Sequence, residues 1–70
     1  MTENHPLRCK IILCDALPPE VSAWFPEFSH TEDDDGNTLL TGELPDQAAF
    51  IGILFRVHNL NLRILSVQVN

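Results

Sequence analysis

The sequence predicts an α+β domain in which a four-stranded antiparallel sheet carries one long and one short helix. Its 70 residues suffice for one domain only. Apolar residues recur with the two-residue period of a strand near the start of the chain, and a helical apolar period runs from about Pro45 to His58. Between them, Asp35-Gly36 is a typical hairpin turn. The predicted order is therefore strand, short helix, strand, strand, helix, strand.

Residues 1–6 are predicted to be a flexible N-terminal tail, and residues 7–70 a single domain, because the chain has neither an internal repeat nor a low-complexity stretch. The first strand is expected over residues 7–14. Apolar residues alternate there with Arg8 and Lys10, so one face of the strand is apolar from its start.

A short helix is expected over Glu20–Phe25. The two consecutive prolines before it disfavour a strand, and Pro26 ends any helix that reaches it. The Asp35-Gly36 turn then joins two strands, expected over residues 28–31 and 38–42, into a hairpin.

The long helix is expected over Pro45–His58. A proline suits the first helical turn, and Asp46 places negative charge near the positive end of the helix dipole. Asn59 and Asn61 are the expected terminators, since asparagine tolerates the left-handed conformation at a helix end. Residues 62–69, rich in β-branched side chains, are the predicted last strand.

Right-handed crossovers would close this order as a split βαβ fold of the ferredoxin-like kind, with both helices on one face and the first and third strands inside the sheet. The alternative is an antiparallel meander on which only the long helix packs. The two differ in whether Glu20–Phe25 is a true helix.

The long helix has two apolar faces. At about 100° per residue, one arc is expected to face the core: Phe50, Ile53, Leu54 and Val57. A second arc would be polar on the surface of a monomer, yet it carries Ala48, Ile51 and Phe55 beside Gly52. We expect these four residues to line the interface of a two-fold homodimer. Two alternatives stay open: the Trp24-Phe25 segment covers this arc, or the contact uses the open sheet face around Ile12.

The charge balance excludes several classes of partner. Four Lys and Arg residues stand against ten Asp and Glu residues, for a net charge of −6. Nucleic acids and anionic membranes are bound chiefly by clustered cations, so neither is an expected partner. The polar start and the lack of an apolar run of about 18 residues predict neither a signal peptide nor a membrane span, which favours the cytoplasm.

No metal site, cofactor or catalytic residue is expected. The acidic run before Gly36 matches a calcium loop at two positions, but Thr31 and Gly42 stand where further ligands are required, so a solvated hairpin tip is predicted. The chain has no phosphate-binding glycine loop and no nucleophile motif, so we do not expect an enzyme. The histidines lack zinc-site spacing: His5, His30 and His58.

Cys9 and Cys14 are the only cysteines. On one strand they would lie on opposite faces and about 16 Å apart, too far for a disulfide between them. We expect two small apolar strand residues; a reactive thiol at Cys9, beside Arg8 and Lys10, is the alternative. Trp24-Phe25 is expected to close one end of the core.

Two segments resemble a group of small uncharacterised bacterial proteins. In that group a strand ends in Thr-Gly, a helix begins Asp-Gln-Ala-Ala and a last strand ends in Leu-Ser-Val, as in residues 40–50 and 60–67 here. A Trp-Phe pair after the first strand is matched by Trp24-Phe25. The resemblance implies no activity and carries over no catalytic residue. The chain departs from the group at Ile51, Phe55, His58 and Asn61.

Two functions follow as expectations. The first is a non-enzymatic module that associates with itself or with another protein. The second is a small-ligand-binding regulatory domain, resembling the ferredoxin-like modules that sense amino acids.

Overall fold

The computed structural model describes residues 6–70, which contain four strands and two helices. The predicted α+β class, with an antiparallel four-stranded sheet and two helices, is confirmed. Apart from Pro6, the predicted tail lies outside the described residues. In chain order the elements are β1 (Leu7–Leu13), α1 (Val21–Trp24), β2 (Phe28–Glu32), β3 (Thr38–Leu44), α2 (Gln47–Asn59) and β4 (Ile64–Val69).

The strand order in the sheet is β2-β3-β1-β4, so that the first and third strands of the chain are the inner pair. Each neighbouring pair is antiparallel. Because directly opposite residues share a face, Ile11 lies beside Leu40 on one side and Val67 on the other. This face of the sheet is apolar in the middle and carries α2, which packs on β1 and β3.

α1 is a single turn, yet it is a true part of the core. Val21 and Phe25 are fully buried, and α1 packs on β2. The meander with one packed helix is therefore wrong. The loop between β1 and α1 is held by Thr38 of β3. Its buried hydroxyl donates to the Asp15 carbonyl at 2.9 Å and accepts from the Leu17 amide at 3.1 Å.

The acidic hairpin turn is organised by one of its own carboxylates. Asp33 Oδ1 accepts from the amides of Asp35 and Asn37, each at 2.9 Å. Gly36 follows with φ at 80°, a conformation that glycine adopts without strain. β3 runs to Leu44, two residues beyond the predicted end at Gly42, because its last residues pair with the start of β1.

α2 begins at Gln47, two residues later than predicted. Asp46 is extended and caps the helix, accepting from the Ala49 amide at 2.9 Å, so Pro45 precedes the helix instead of opening it. Asn59 is the last helical residue, and Asn61 takes the left-handed conformation with φ at 62°.

The connection out of α2 explains why β4 starts at Ile64 and not at Leu62. The Leu62 amide still donates to the Val57 carbonyl at 3.1 Å, which ties Leu62 to the helix end. The hydrophobic core itself lies between the sheet and the helices and includes Ile53 and Val57 of α2. Phe50 and Leu54 are only half-buried, so the core stripe of α2 is narrower than predicted.

Candidate functional site

The most exposed large apolar side chains of residues 6–70 all lie on α2 or β4. Phe55 is 63% exposed and Val67, the least exposed of the set, 37%. Single exposed apolar residues are ordinary, whereas contiguous apolar patches often serve as binding surfaces. We call this group the α2–β4 surface: Ile51, Phe55, Ile64, Leu65, Val67 and Val69.

The contacts of Arg56 show which way α2 faces. Its guanidinium donates to the Trp24 carbonyl at 3.0 Å and to the Glu27 carboxylate at 3.2 Å, so this flank of α2 faces the α1 segment. At about 100° per residue, Leu54 and Ile51 lie some 140–160° around the helix from Arg56. Since α1 lies over β2, at one edge of the sheet, Leu54 and Ile51 lie on the flank directed toward β4, at the other edge.

Phe55 points away from the sheet. It lies about 160° around the helix from each of the two buried residues, Ile53 and Val57. The Trp24-Phe25 segment contacts α2 on the flank that carries Arg56, not on the outer face, so Phe55 stays exposed. The expectation that this segment covers the second apolar arc is therefore wrong.

β4 exposes apolar side chains because it is an edge strand outside the reach of the helices. Val67 lies opposite Ile11 and Val69 opposite Cys9, so both valines are on the helix-bearing face. The helices pack on β1, β3 and β2. The two valines consequently continue the apolar face of the sheet into solvent.

The charge distribution separates this surface from the rest of the chain. Residues 47–70, which include α2 and β4, contain two arginines and no Asp or Glu, a formal charge of +2. This leaves −8 on residues 1–46 within the total of −6. Two acidic chains repel each other over most of their surface. A contact formed by residues 47–70 of both copies would bring no Asp or Glu side chains together.

All four predicted interface residues are on the surface: Ala48, Ile51, Gly52 and Phe55. A side chain built at Gly52 meets nothing within 4 Å, so the space beside this glycine is open within the described part of the chain. The sequence analysis missed the contribution of β4. The missing signal was the absence of charge in residues 64–69, together with the absence of Asp and Glu after Asp46.

The open face of the sheet is polar. Lys10 lies at its centre, opposite Thr41 on one side and Gln68 on the other, and Ser29 extends the row to the β2 edge. These side chains line a shallow depression of about 1060 Å³. Ile12, the centre of the alternative contact surface in the sequence analysis, is half-buried on this face. It lies beside a mainly polar row and not within a large apolar patch.

Arg8 adds a second cation to the open face. Its Nε atom lies 3.9 Å from Glu43 Oε2, and both side chains are well exposed, so the pair contributes little to stability. Residues on this face can therefore offer two cations, the Glu43 carboxylate, hydroxyls and an amide to a small polar ligand.

The two cysteines are free thiols in different surroundings. Cys9 is buried on the helix-bearing face, away from its neighbours Arg8 and Lys10, and burial raises the pKa of its thiol. A raised pKa lowers the thiolate fraction, which argues against the reactive-thiol alternative for Cys9. Cys14 is a free, half-buried thiol.

Metal-ligating side chains are dispersed. Within residues 6–70, no three His, Cys, Asp or Glu residues are placed to hold one ion, and His5 of the predicted histidine set lies outside the described residues. No helix in the same range is long and apolar enough to cross a membrane.

A family model described as a domain of unknown function (DUF8691) matches residues 8–68, which includes both helices and nearly all of the sheet. No curated protein and no solved structure matches the chain.

Proposed function

The chain belongs to the DUF8691 family, and we propose that it is a non-enzymatic interaction module whose partner is a second copy of itself. The observation that carries this proposal is the α2–β4 surface, six exposed apolar side chains on the part of the chain that has no Asp or Glu. Burying apolar surface is the main favourable term in most protein associations. This surface combines two predicted interface residues of α2, Ile51 and Phe55, with apolar side chains of the edge strand.

The small size of the domain supports the same proposal. A chain of 70 residues buries a smaller fraction of its surface than a larger domain does, and its single core supplies roughly 3–5 kcal/mol. Association with a second copy stabilises the folded state by mass action. A self-associating chain thus gains stability that its own core cannot provide.

We also propose that the fold is the split βαβ arrangement of the ferredoxin-like kind. The order β2-β3-β1-β4, read from the other edge, has β1 and β3 inside, α1 between β1 and β2 in the chain, and α2 between β3 and β4. The resemblance to small bacterial proteins and the cytoplasmic location stay predictions from the sequence.

If the outer face of α2 takes part in the contact, Phe55→Glu is expected to give a folded monomer; if the contact uses the sheet alone, association should be unchanged. The substitution places a carboxylate on a side chain that is 63% exposed, at the centre of the outer face of α2. In a two-fold contact each copy would bring this charge into the interface, where burial without a partner is costly. Light scattering at several concentrations measures the mass, and circular dichroism checks the fold.

Ala23→Glu on α1 is the matched control, because Ala23 is exposed and adds the same charge away from the α2–β4 surface. It should associate like the unaltered chain. Association by Phe55→Glu equal to that of Ala23→Glu would exclude Phe55 from the contact, and an unfolded Phe55→Glu would contradict its position at the surface.

A second candidate function is small-ligand binding, favoured by the polar row across the open face. Lys10 stands between Thr41 and Gln68 beside a depression that Arg8 also lines. A cation beside hydroxyl and amide groups suits a small carboxylate or phosphate.

If the open face binds such an anion, inorganic phosphate or succinate should raise the melting temperature saturably, and Lys10→Met should abolish the rise. Arg63→Met, which removes an exposed cation outside this depression, is the control. An equal rise for both variants, or none for the unaltered chain, would exclude the site for these anions.

A further inference from the structure

We infer that two copies of the chain pair their β4 strands antiparallel around a two-fold axis, so that two four-stranded sheets become one sheet of eight strands. This inference rests on the proposed self-association and specifies its geometry. The argument comes from the backbone of β4, from the pattern of its side chains and from the charges at the two sheet edges.

The free edge of β4 has defined donors and acceptors. The Asn70 amide donates to the Arg8 carbonyl at 3.0 Å, which makes this a hydrogen-bonded pair of the β1–β4 ladder. Hydrogen-bonded and non-hydrogen-bonded pairs alternate in an antiparallel ladder, so Gln68 also directs its backbone polar groups to β1. Val67 and Val69 direct theirs outward, to the free edge.

In one two-fold register, the outward backbone N–H and C=O groups of Val67 and Val69 all find hydrogen-bond partners in the second copy. Placing Gln68 on the axis sets Val67 opposite Val69 of the second copy, and Val69 opposite Val67, as hydrogen-bonded pairs. The β4 irregularity, where Ser66 pairs with Ile12 and Ile64 with Leu13, lies before this stretch and does not disturb it. Four backbone hydrogen bonds thus join the copies.

The side chains of β4 are self-complementary in this register. On the helix-bearing face, valine meets valine, beside the exposed apolar flank of α2. On the open face, the Gln68 amide meets the Gln68 amide of the second copy, and Ser66 meets Asn70 of the second copy. Apolar groups therefore meet apolar groups and neutral polar groups meet neutral polar groups, and no charged pair is opposed.

The other sheet edge is protected against such pairing. β2 carries Glu32 and leads directly into the acidic turn at Asp33–Asp35, so two β2 edges would bring carboxylates together. β4 has neither a charge nor a proline in Ile64–Val69. A sheet edge without these protections can pair with a further strand. Because residues 47–70 carry no Asp or Glu, that strand can belong to a second copy of this acidic chain without repulsion at the contact.

Gln68→Cys tests this register directly. In the proposed pairing, residue 68 faces itself in a non-hydrogen-bonded pair, where Cα atoms are about 4.5 Å apart, within the range of a disulfide. Mild oxidation should shift most of the Gln68→Cys chain from one-chain to two-chain mobility on a non-reducing gel. Gln68 is exposed on the open face, so the substitution leaves the core intact.

Thr31→Cys, an exposed position on β2, is the matched control and should stay at one-chain mobility, as should the unaltered chain with its two native thiols. Two-chain mobility in Thr31→Cys equal to that in Gln68→Cys would mean random collision and would overturn the inference. If the unaltered chain forms dimers in solution but Gln68→Cys does not cross-link, β4 pairing is overturned while self-association stands. A chain that is monomeric throughout overturns both.

Hydrogen exchange provides a readout that does not depend on a variant. The amides of Val67 and Val69 should gain protection as the concentration of the unaltered chain rises, because only the second copy accepts from them. Protection of these two amides that is independent of association would contradict the pairing.

Discussion

Phe25→Ala is expected to lower the free energy of unfolding by about 3–5 kcal/mol, which is as much as a core of this size supplies. Phe25 is fully buried, immediately after α1, and the Arg56 guanidinium lies 5.8 Å from its ring centroid. Truncation removes the ring from the core and leaves a cavity that a one-turn helix cannot close. The variant should be unfolded, or nearly so, at room temperature.

Phe55→Ala makes the same chemical change on a ring that is 63% exposed. At concentrations where the chain is monomeric, its effect should stay within about 0.5 kcal/mol. Urea titrations followed by the fluorescence of Trp24 measure both variants. Similar losses for Phe25→Ala and Phe55→Ala would contradict the assignment of one ring to the core and the other to the surface.

Gly42→Ala is expected to destabilise the domain by about 1–3 kcal/mol, the range found for overpacked cores. A Cβ atom at Gly42 would lie 2.7 Å from the Glu27 carbonyl oxygen and 3.2 Å from the Phe28 ring. The carbonyl belongs to the backbone and cannot rotate away, so β2 must shift relative to β3. The shift would disturb the packing of Phe28 on the helix-bearing face.

Gly52→Ala is the matched control, and its effect should have the opposite sign. Gly52 is inside α2 with nothing within 4 Å of a built Cβ atom, so alanine should stabilise the monomer by up to about 1 kcal/mol. Thermal melts at high dilution compare the two variants. A stabilised Gly42→Ala, or a Gly52→Ala that unfolds, would contradict the packing described for these glycines.

Much of this fold follows from local sequence. The two-residue apolar period of β1, the helical period of α2 and the turn at Gly36 each predict their element. α1 was predicted as well, although it is one turn long, because the prolines around it fix where a helix can form. The ends were less accurate: Asp46 as an N-cap moved the start of α2, and the helix-end bond from Leu62 delayed β4.

The candidate surface was predicted only in part. Helical arithmetic identified Ile51 and Phe55, since a helix face depends on spacing alone. The exposure of Val67 and Val69 depends on where α2 crosses the sheet, and the polar row around Lys10 depends on strand register. Both depend on long-range packing, although the absence of charge in residues 64–69 was a local signal that β4 is apolar.

The mass of the unaltered chain in solution, measured by light scattering across a dilution series, tests the proposed self-association most directly. The α2–β4 surface predicts a mass of two chains at high concentration that falls toward the single-chain 7.9 kDa on dilution. A mass of 7.9 kDa at every concentration up to the millimolar range would contradict self-association.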